Sequence, residues 1–355
     1  MIRHVHLRAA FCCITAGLLS LAGEVALGTD ESKNETKEAT PPYELGSGLR
    51  LGNSGFYLGG YGSAEYSAAR RAEPDFSLSH ADLFFWWESQ SGFKFFSEVD
   101  GEYEAATHRN PDLGERRTLS LARLYLDDTY SDSLTLRLGK FLTPIGRWNL
   151  IHADPLVWTT SRPVPTKSPF PGTATGAMAL GNFSMFGRPL DYSVYLSANG
   201  DLRRDPNEDE FHKAIGLHLN VPVNDATQLG FSYVIFSQNP DTENHQRLLG
   251  LDLLWSHHGS EIMGEAIRRV SSHGAQSDEL GAYLQGAVPV YGRLYGVVRL
   301  EGFHQASPEQ TIRNGVFGLA YRQSRAISYK IEVDRSLNNN GNASVSFLSS
   351  VSVLF

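Results

Sequence analysis

The sequence predicts an all-β chain: a transmembrane antiparallel up-and-down β-barrel of about sixteen strands. Three observations carry this. Apolar residues recur at every second position along almost the whole chain, which is the period of a strand with two different faces. The connections between these segments alternate between short and long. No helical stripe of convincing length interrupts the pattern.

The chain has 355 residues, with 11% aromatic and 20% charged residues and 34 glycines. Residues 1–28 read as a signal peptide. Arg3 and Arg8 make a basic start, Ala9 to Gly23 form a short apolar core, and Ala26 and Gly28 supply small residues at a cleavage point. Both cysteines, Cys12 and Cys13, lie in that core, so the exported chain is expected to hold no disulfide. Without residues 1–28 the balance is 29 basic against 38 acidic residues, a net charge of −9. That argues against nucleic acid as a partner. Residues 29–48, polar and broken by Pro41 and Pro42, are expected to form a flexible periplasmic lead-in, and residues 49–355 the barrel.

Candidate strands follow over 54–68, 76–89, 92–105, 118–129, 132–140, 174–186, 189–199, 211–221, 226–237, 245–257, 259–271, 278–290, 291–304, 310–322, 325–335 and 342–355. Each is close to the length of a tilted membrane strand. The alternation is clean in several. Leu190, Tyr192, Val194 and Leu196 alternate with Asp191, Ser193, Tyr195 and Ser197, and Ile327, Tyr329, Ile331 and Val333 with Ser328, Lys330, Glu332 and Asp334. Segments 174–186 and 259–271 fit less well. Tight turns such as Tyr130–Asp132 and Val221–Ala226 alternate with longer connections, the longest being Phe141–Thr173. Short periplasmic turns and long outer loops are what a barrel in an outer membrane requires.

The segment Ser346–Phe355, "SFLSSVSVLF", ends on an aromatic residue. In hydrocarbon every backbone donor and acceptor must pair, so the sheet must close and the last strand must meet the first. Phe347, Val351, Val353 and Phe355 are expected to face lipid, with Phe355 in the interfacial aromatic girdle and the even-numbered serines turned inward.

This tail resembles the targeting signal of Gram-negative outer-membrane barrels, read by the barrel-assembly machinery. The stretch Leu136–Asn149, "LRLGKFLTPIGRWN", resembles the "GxFxxPxG" passage of phosphate-selective-porin-like and related barrel porins. The resemblance implies a porin in the outer membrane of a Gram-negative bacterium, in contact with outer-membrane lipid and lipopolysaccharide. It also implies a long third outer loop folded into the lumen and, by analogy with porins of this size, a homotrimer.

Connection Phe141–Thr173 is the third outer loop. It holds Trp148, Trp158, Phe170 and six prolines, a composition suited to a packed loop. With Lys140 it carries Arg147, Arg162 and Lys167 against one acid, Asp154. Basic groups at a constriction attract anions, so Lys140, Trp148, Arg147, Arg162, Lys167 and Asp154 are the candidate constriction and solute-binding residues. The inward parity elsewhere is acidic. Glu98, Asp100, Glu102 and Glu104 follow Lys94, and Asp82, Asp127, Glu265, Glu301, Glu332 and Asp334 add to them; Arg123, Arg137, Arg293, Arg299 and Lys330 offset part of this. The candidate lumen wall is therefore Glu98, Asp100, Glu102, Arg123, Arg137 and Arg299. A basic loop opposite an acidic wall would set up a transverse field; lumen charges that only keep the bore wet are the plainer reading.

No metal or other cofactor is expected. Alternate carboxylates on one strand offer calcium too few converging oxygens. His80, His152 and His304 have no ligand-like spacing, and His257 and His258, as neighbours on a strand, point opposite ways. Serines are abundant, but none stands in a "GxSxG" setting, so the sequence does not suggest an enzyme. The expected function is passive diffusion of small hydrophilic or ionic solutes. The alternative is a closed barrel acting as a structural anchor or adhesin.

Overall fold

The computed structural model describes residues 43–355 apart from 70–73, 105–115, 152, 168, 186, 199, 204–209, 239–244, 272–277, 307–308, 340 and 342. The signal peptide expected over 1–28, most of the lead-in, and His152 lie outside the described residues. Two short strands, β1 (Tyr43–Glu44) and β2 (Gly48–Arg50), pair with each other, and β2 continues onto the wall strand that follows it.

Sixteen strands make the wall: β3 (Phe56–Ala69), β4 (Asp75–Glu88), β5 (Phe93–Glu104), β6 (Arg116–Ser131), β7 (Leu134–Leu142), β8 (Thr173–Met185), β9 (Arg188–Ala198) and β10 (Lys213–Asn224) form the first half. The second half is β11 (Thr227–Ser237), β12 (Gln246–His257), β13 (Ser260–Ser271), β14 (Glu279–Tyr291), β15 (Leu294–Ala306), β16 (Glu309–Arg322), β17 (Ile327–Asn338) and β18 (Ala343–Leu354). Every neighbour pair is antiparallel and consecutive, and β18 pairs with β3, which closes the sheet. At the seam Gly60 and Phe355 exchange two backbone hydrogen bonds, each 2.8 Å. All sixteen expected strands are found, including the two weakly patterned ones, within a few residues of their expected limits.

Burial alternates along the strands. In β14, Glu279, Gly281, Tyr283 and Gln285 are buried while Leu280, Ala282 and Leu284 are exposed. The outer face carries Leu138, Leu251, Leu300 and Phe317, each more than half exposed. The buried face carries Asp82, Glu98, Asp252, Gln285, Arg299 and Lys330. A closed cylinder with an apolar exterior and polar interior suits hydrocarbon outside and water inside. Aromatic rings gather toward the short-turn ends of β3 and β4, where Tyr57 stacks on Trp86 at 5.1 Å and Phe56 on Phe85 at 5.5 Å. Phe347, Val351 and Phe355 lie on the exposed face, and Val353 shares their parity, while Ser350 and Ser352 are buried.

Two bulges reset this alternation. In β4, Ser63 pairs with His80 and Ala64 with Leu78, leaving Ser79 as an extra residue. In β6, Glu98 of β5 pairs with Arg123 and Val99 with Leu121, leaving Ala122 over. An extra residue flips the face that follows it. Phe76 and Leu78 are thus outward before the first bulge, and Leu83 and Phe85 after it.

Candidate functional site

The connection between β7 and β8, residues 143–172, is mostly buried. It begins in the "GKFLTPIG" passage, whose glycines have local reasons. Gly139 has φ +129°, and a Cβ there would run into the backbone of Leu124 and Tyr125. Gly146 has φ +66°, and a Cβ there would fall on the Glu265 carboxylate. Phe141 is fully buried among Tyr195, Phe236 and their neighbours. The loop's two ends are tied together: Thr143 donates its amide to Gly172 O at 2.9 Å, and Asn149 Nδ2 donates to the carbonyls of Thr143 and Gly172, each at 2.8 Å.

A short helix, α1 (Trp148–Ile151), and a 3₁₀ turn, Val164–Thr166, are the loop's only regular elements among the described residues. The rest of its backbone must find partners elsewhere, because a buried unpaired N–H or C=O is costly. The strands supply them. Glu265 accepts the amides of Arg147 and Trp148 at 3.1 and 2.6 Å, and Tyr283 Oη donates to the same carboxylate at 2.9 Å. Glu332 accepts the amides of Thr160 and Ser161 at 3.0 and 2.8 Å. Glu301 accepts that of Val164 at 2.7 Å. Cations serve the carbonyls: Arg299 donates to Ser161 O at 2.8 Å, Lys330 to Asp154 O at 2.6 Å, and Arg322 to Leu156 O at 3.0 Å.

Two tryptophans add apolar contact. Trp148 packs with Val157, Leu254, Met263 and Tyr283. Trp158 packs with Ala287, Val297 and Ala320, donates Nε1–H to Glu261 at 2.7 Å, and lies 3.5 Å beneath the Arg322 guanidinium. The loop therefore rests on the buried faces of β11 to β18. Glu265, Glu301 and Glu332, expected on the acidic inward parity, accept that loop's backbone amides.

The basic residues differ in what they do. Arg147 reaches Asp252, Gln228 and Asn220 at 3.2, 3.0 and 2.9 Å, so its charge is consumed in anchoring. Arg162 donates to Thr166 and to Asn149 Oδ1 of the same loop. Lys167 is exposed. Surrounding protein displaces part of the water around its ammonium, and Arg162 stands nearby; both hold its pKa below the ordinary lysine value. Lys140 sits apart from this group: its Nζ pairs with Asp201 at 2.8 Å, and Asp201 also accepts from Thr173 and Thr175. Asp154 is buried, and its carbonyl, not its carboxylate, receives Lys330.

On the opposite arc, β3 to β7, the charges are also paired. Arg123 pairs with Glu98 and lies over the Phe96 ring at 4.6 Å. Arg137 grips Asp127 with two hydrogen bonds, 2.7 and 2.8 Å, and lies 3.8 Å from the Tyr125 ring centre. Asp100 meets His80 Nδ1 at 3.4 Å. Glu102 belongs to β5, with its side chain outside the described residues. Arg299, expected on the lumen wall, is fully buried against the loop. Sequence reasoning missed His80: its spacing to other ligands along the chain says nothing of Asp100 on the next strand.

No protein-family model matches the chain. An uncharacterized protein of Aquifex aeolicus is 31% identical over 121 residues, which span 34% of this chain and 27% of that protein. Solved structures resemble the fold over nearly their whole length. The anion-selective porin of Comamonas acidovorans superposes with a TM-score of 0.61 at 10% identity, over 84% of this chain and 99% of that one. Salmonella typhi OmpF, in complex with daunomycin, gives 0.62 at 8% identity, over 86% and 99%. The outer membrane channel DcaP of Acinetobacter baumannii gives 0.60 at 10% identity, over 87% and 100%. The fold is that of the outer-membrane porins.

Proposed function

We propose that the chain is a porin of the Gram-negative outer membrane, a water-filled channel for passive diffusion of small hydrophilic or ionic solutes. The observation that carries this is the one-sided anchoring of the 143–172 connection. It is fastened to β11–β18, while on β3–β6 some inward side chains stay partly exposed, Arg123 at 18%, Asp100 at 19% and His80 at 26%, beside the covered Asp82 and Glu98. A water path would run between the loop and that arc, and the loop would set its narrowest point. Lys167, exposed in the loop, would give the narrowing an anion preference; Arg147 and Lys140, each committed to a carboxylate, would contribute mainly structure. This is a transport role, not an enzymatic one. Outer-membrane lipid, lipopolysaccharide, the barrel-assembly machinery (through Phe347, Val351, Val353 and Phe355) and two further copies in a homotrimer complete the proposed partners.

Planar-bilayer recordings of the folded protein test the reading. Stepwise ionic currents are expected, with a reversal potential in a salt gradient on the anion side that moves toward zero in Lys167→Ala. A second reading has its own support: Phe141, Met178, Tyr195, Phe211, Phe236 and Leu248 bury an apolar cluster on the inner face of β7–β12. That cluster would suit a closed barrel acting as an anchor or adhesin. Silence from protein with full β-sheet dichroism would favour it and reject the channel.

A further inference from the structure

We propose that His80, Asp82 and Asp100 form a binding site for a divalent transition metal of the zinc class on the wall of the bore. The site is made by the β4 bulge. With a regular strand, the outward parity of Phe76 and Leu78 would carry His80 and Asp82 into lipid, where charge is costly. The extra residue at Ser79 turns both inward, two residues apart on one face, and the neighbouring strand presents Asp100.

The geometry suits a small cation. One nitrogen and two carboxylate oxygens lie within 4.8 Å of one another. His80 Nδ1 is 3.4 Å from Asp100 Oδ1 and 3.7 Å from Asp82 Oδ1. Two ligands each about 2.0–2.1 Å from a tetrahedral zinc stand roughly 3.3 Å apart, so the cluster needs only a small contraction. The independent sign is Asp82. It is 1% exposed, and its Oδ1 has no hydrogen-bond partner among the described residues. A carboxyl oxygen buried this deeply without a hydrogen bond is a ready ligand for a cation. The Tyr61 ring lies 5.5 Å from the imidazole and limits its rotation. Its hydroxyl, also buried without a partner, belongs to the residue that registers with Asp82 across β3 and β4. His80 and Asp100 keep an edge open to the bore, which leaves the fourth position for water or a passing anion. One imidazole with two carboxylates suits zinc, manganese or iron(II) better than calcium, which wants more oxygens.

Zinc chloride titrated calorimetrically into tag-free, EDTA-stripped, detergent-folded protein tests this. One zinc per chain is expected, resisting excess calcium. His80→Gln and Asp100→Asn, at partly exposed positions, should each weaken binding by more than about tenfold, the lower end of what even a ligand's supporting partner costs. His257→Ala/His258→Ala should leave it unchanged. Absence of saturable binding would overturn the site, as would binding that survives His80→Gln and disappears with the double turn variant. Should the wall variants fail to fold, zinc-edge X-ray absorption of the wild-type complex decides. A single imidazole among light-atom neighbours supports the site, and two or more imidazoles, or none, reject it. None of these readouts depends on whether the barrel conducts.

Discussion

The Glu265 carboxylate accepts the backbone amide of Trp148 at 2.6 Å, from a strand more than a hundred residues away in sequence. It is the first of a row. Glu301 and Glu332 do the same for later amides of the connection, and Arg299, Arg322 and Lys330 take its carbonyls. A loop with almost no secondary structure has its backbone satisfied by wall side chains of both signs.

Removing these acceptors should therefore loosen the loop without opening the barrel. Glu332→Ala strands two amides, and a hydrogen bond to a charged group is worth about 1.5–3 kcal/mol. The expected result is faster tryptic cleavage after Lys167 and a larger, noisier single-channel conductance, with the heat stability of the barrel nearly unchanged. Glu332→Gln, which keeps one acceptor oxygen, should fall between. Unaltered cleavage in Glu332→Ala would show that the apolar packing of Trp148 and Trp158 alone holds the loop.

Arg137 and Asp127 form a bidentate pair on the inner face, both largely covered. Truncating one partner leaves the other charge buried and alone, a loss of about 3–5 kcal/mol. Arg137→Ala should lower the urea midpoint of refolding clearly. Arg137→Met/Asp127→Leu should recover much of it, because the desolvation of both charges disappears together. Equal midpoints for the single and double variants would mean the pair is solvated in the folded barrel.

The strands were legible in the sequence because lipid enforces the pattern. Leu300 beside Arg299 and Glu301, or Tyr329 between Ser328 and Lys330, can be read without a structure: a one-residue error would place charge in hydrocarbon. The acidic inner parity was legible for the same reason. What those acids bind was not, since Glu332 and Thr160 are joined only by barrel closure and by the path of an irregular loop. The cluster at His80 was hidden differently. Its ligands come from two strands, and a bulge at Ser79 decides which way they point. The break in parity between Leu78 and Leu83 was the available signal.

The outward assignment has a direct test at Leu300, which is 62% exposed on the outer face while its neighbour Arg299 is fully buried. Leu300→Arg should cost about 2–4 kcal/mol if the position lies near the bilayer midplane. The measurement is folding yield into lipid vesicles, read by heat-modifiable gel mobility. Val290→Arg, close to a short turn and the interface, should cost much less. Similar yields for both variants would contradict a depth-dependent hydrocarbon environment.

Lys167 gives the pH dependence of selectivity. Its pKa is held below the ordinary lysine value of 10.5, first by desolvation and then by the Arg162 charge. A lysine charge is present below its pKa and lost as pH rises through it. Arg162 keeps its charge throughout, because a guanidinium does not deprotonate in this range. Anion preference should therefore be constant at neutral pH and decline on the alkaline side, beginning before an ordinary lysine would titrate. Lys167→Met should show the reduced preference already at neutral pH and no decline in that window, whereas Lys167→Arg should keep the preference and abolish the decline. Reversal potentials recorded in a salt gradient from pH 7 upward decide the matter: an alkaline decline that persists in Lys167→Arg would assign it to another group.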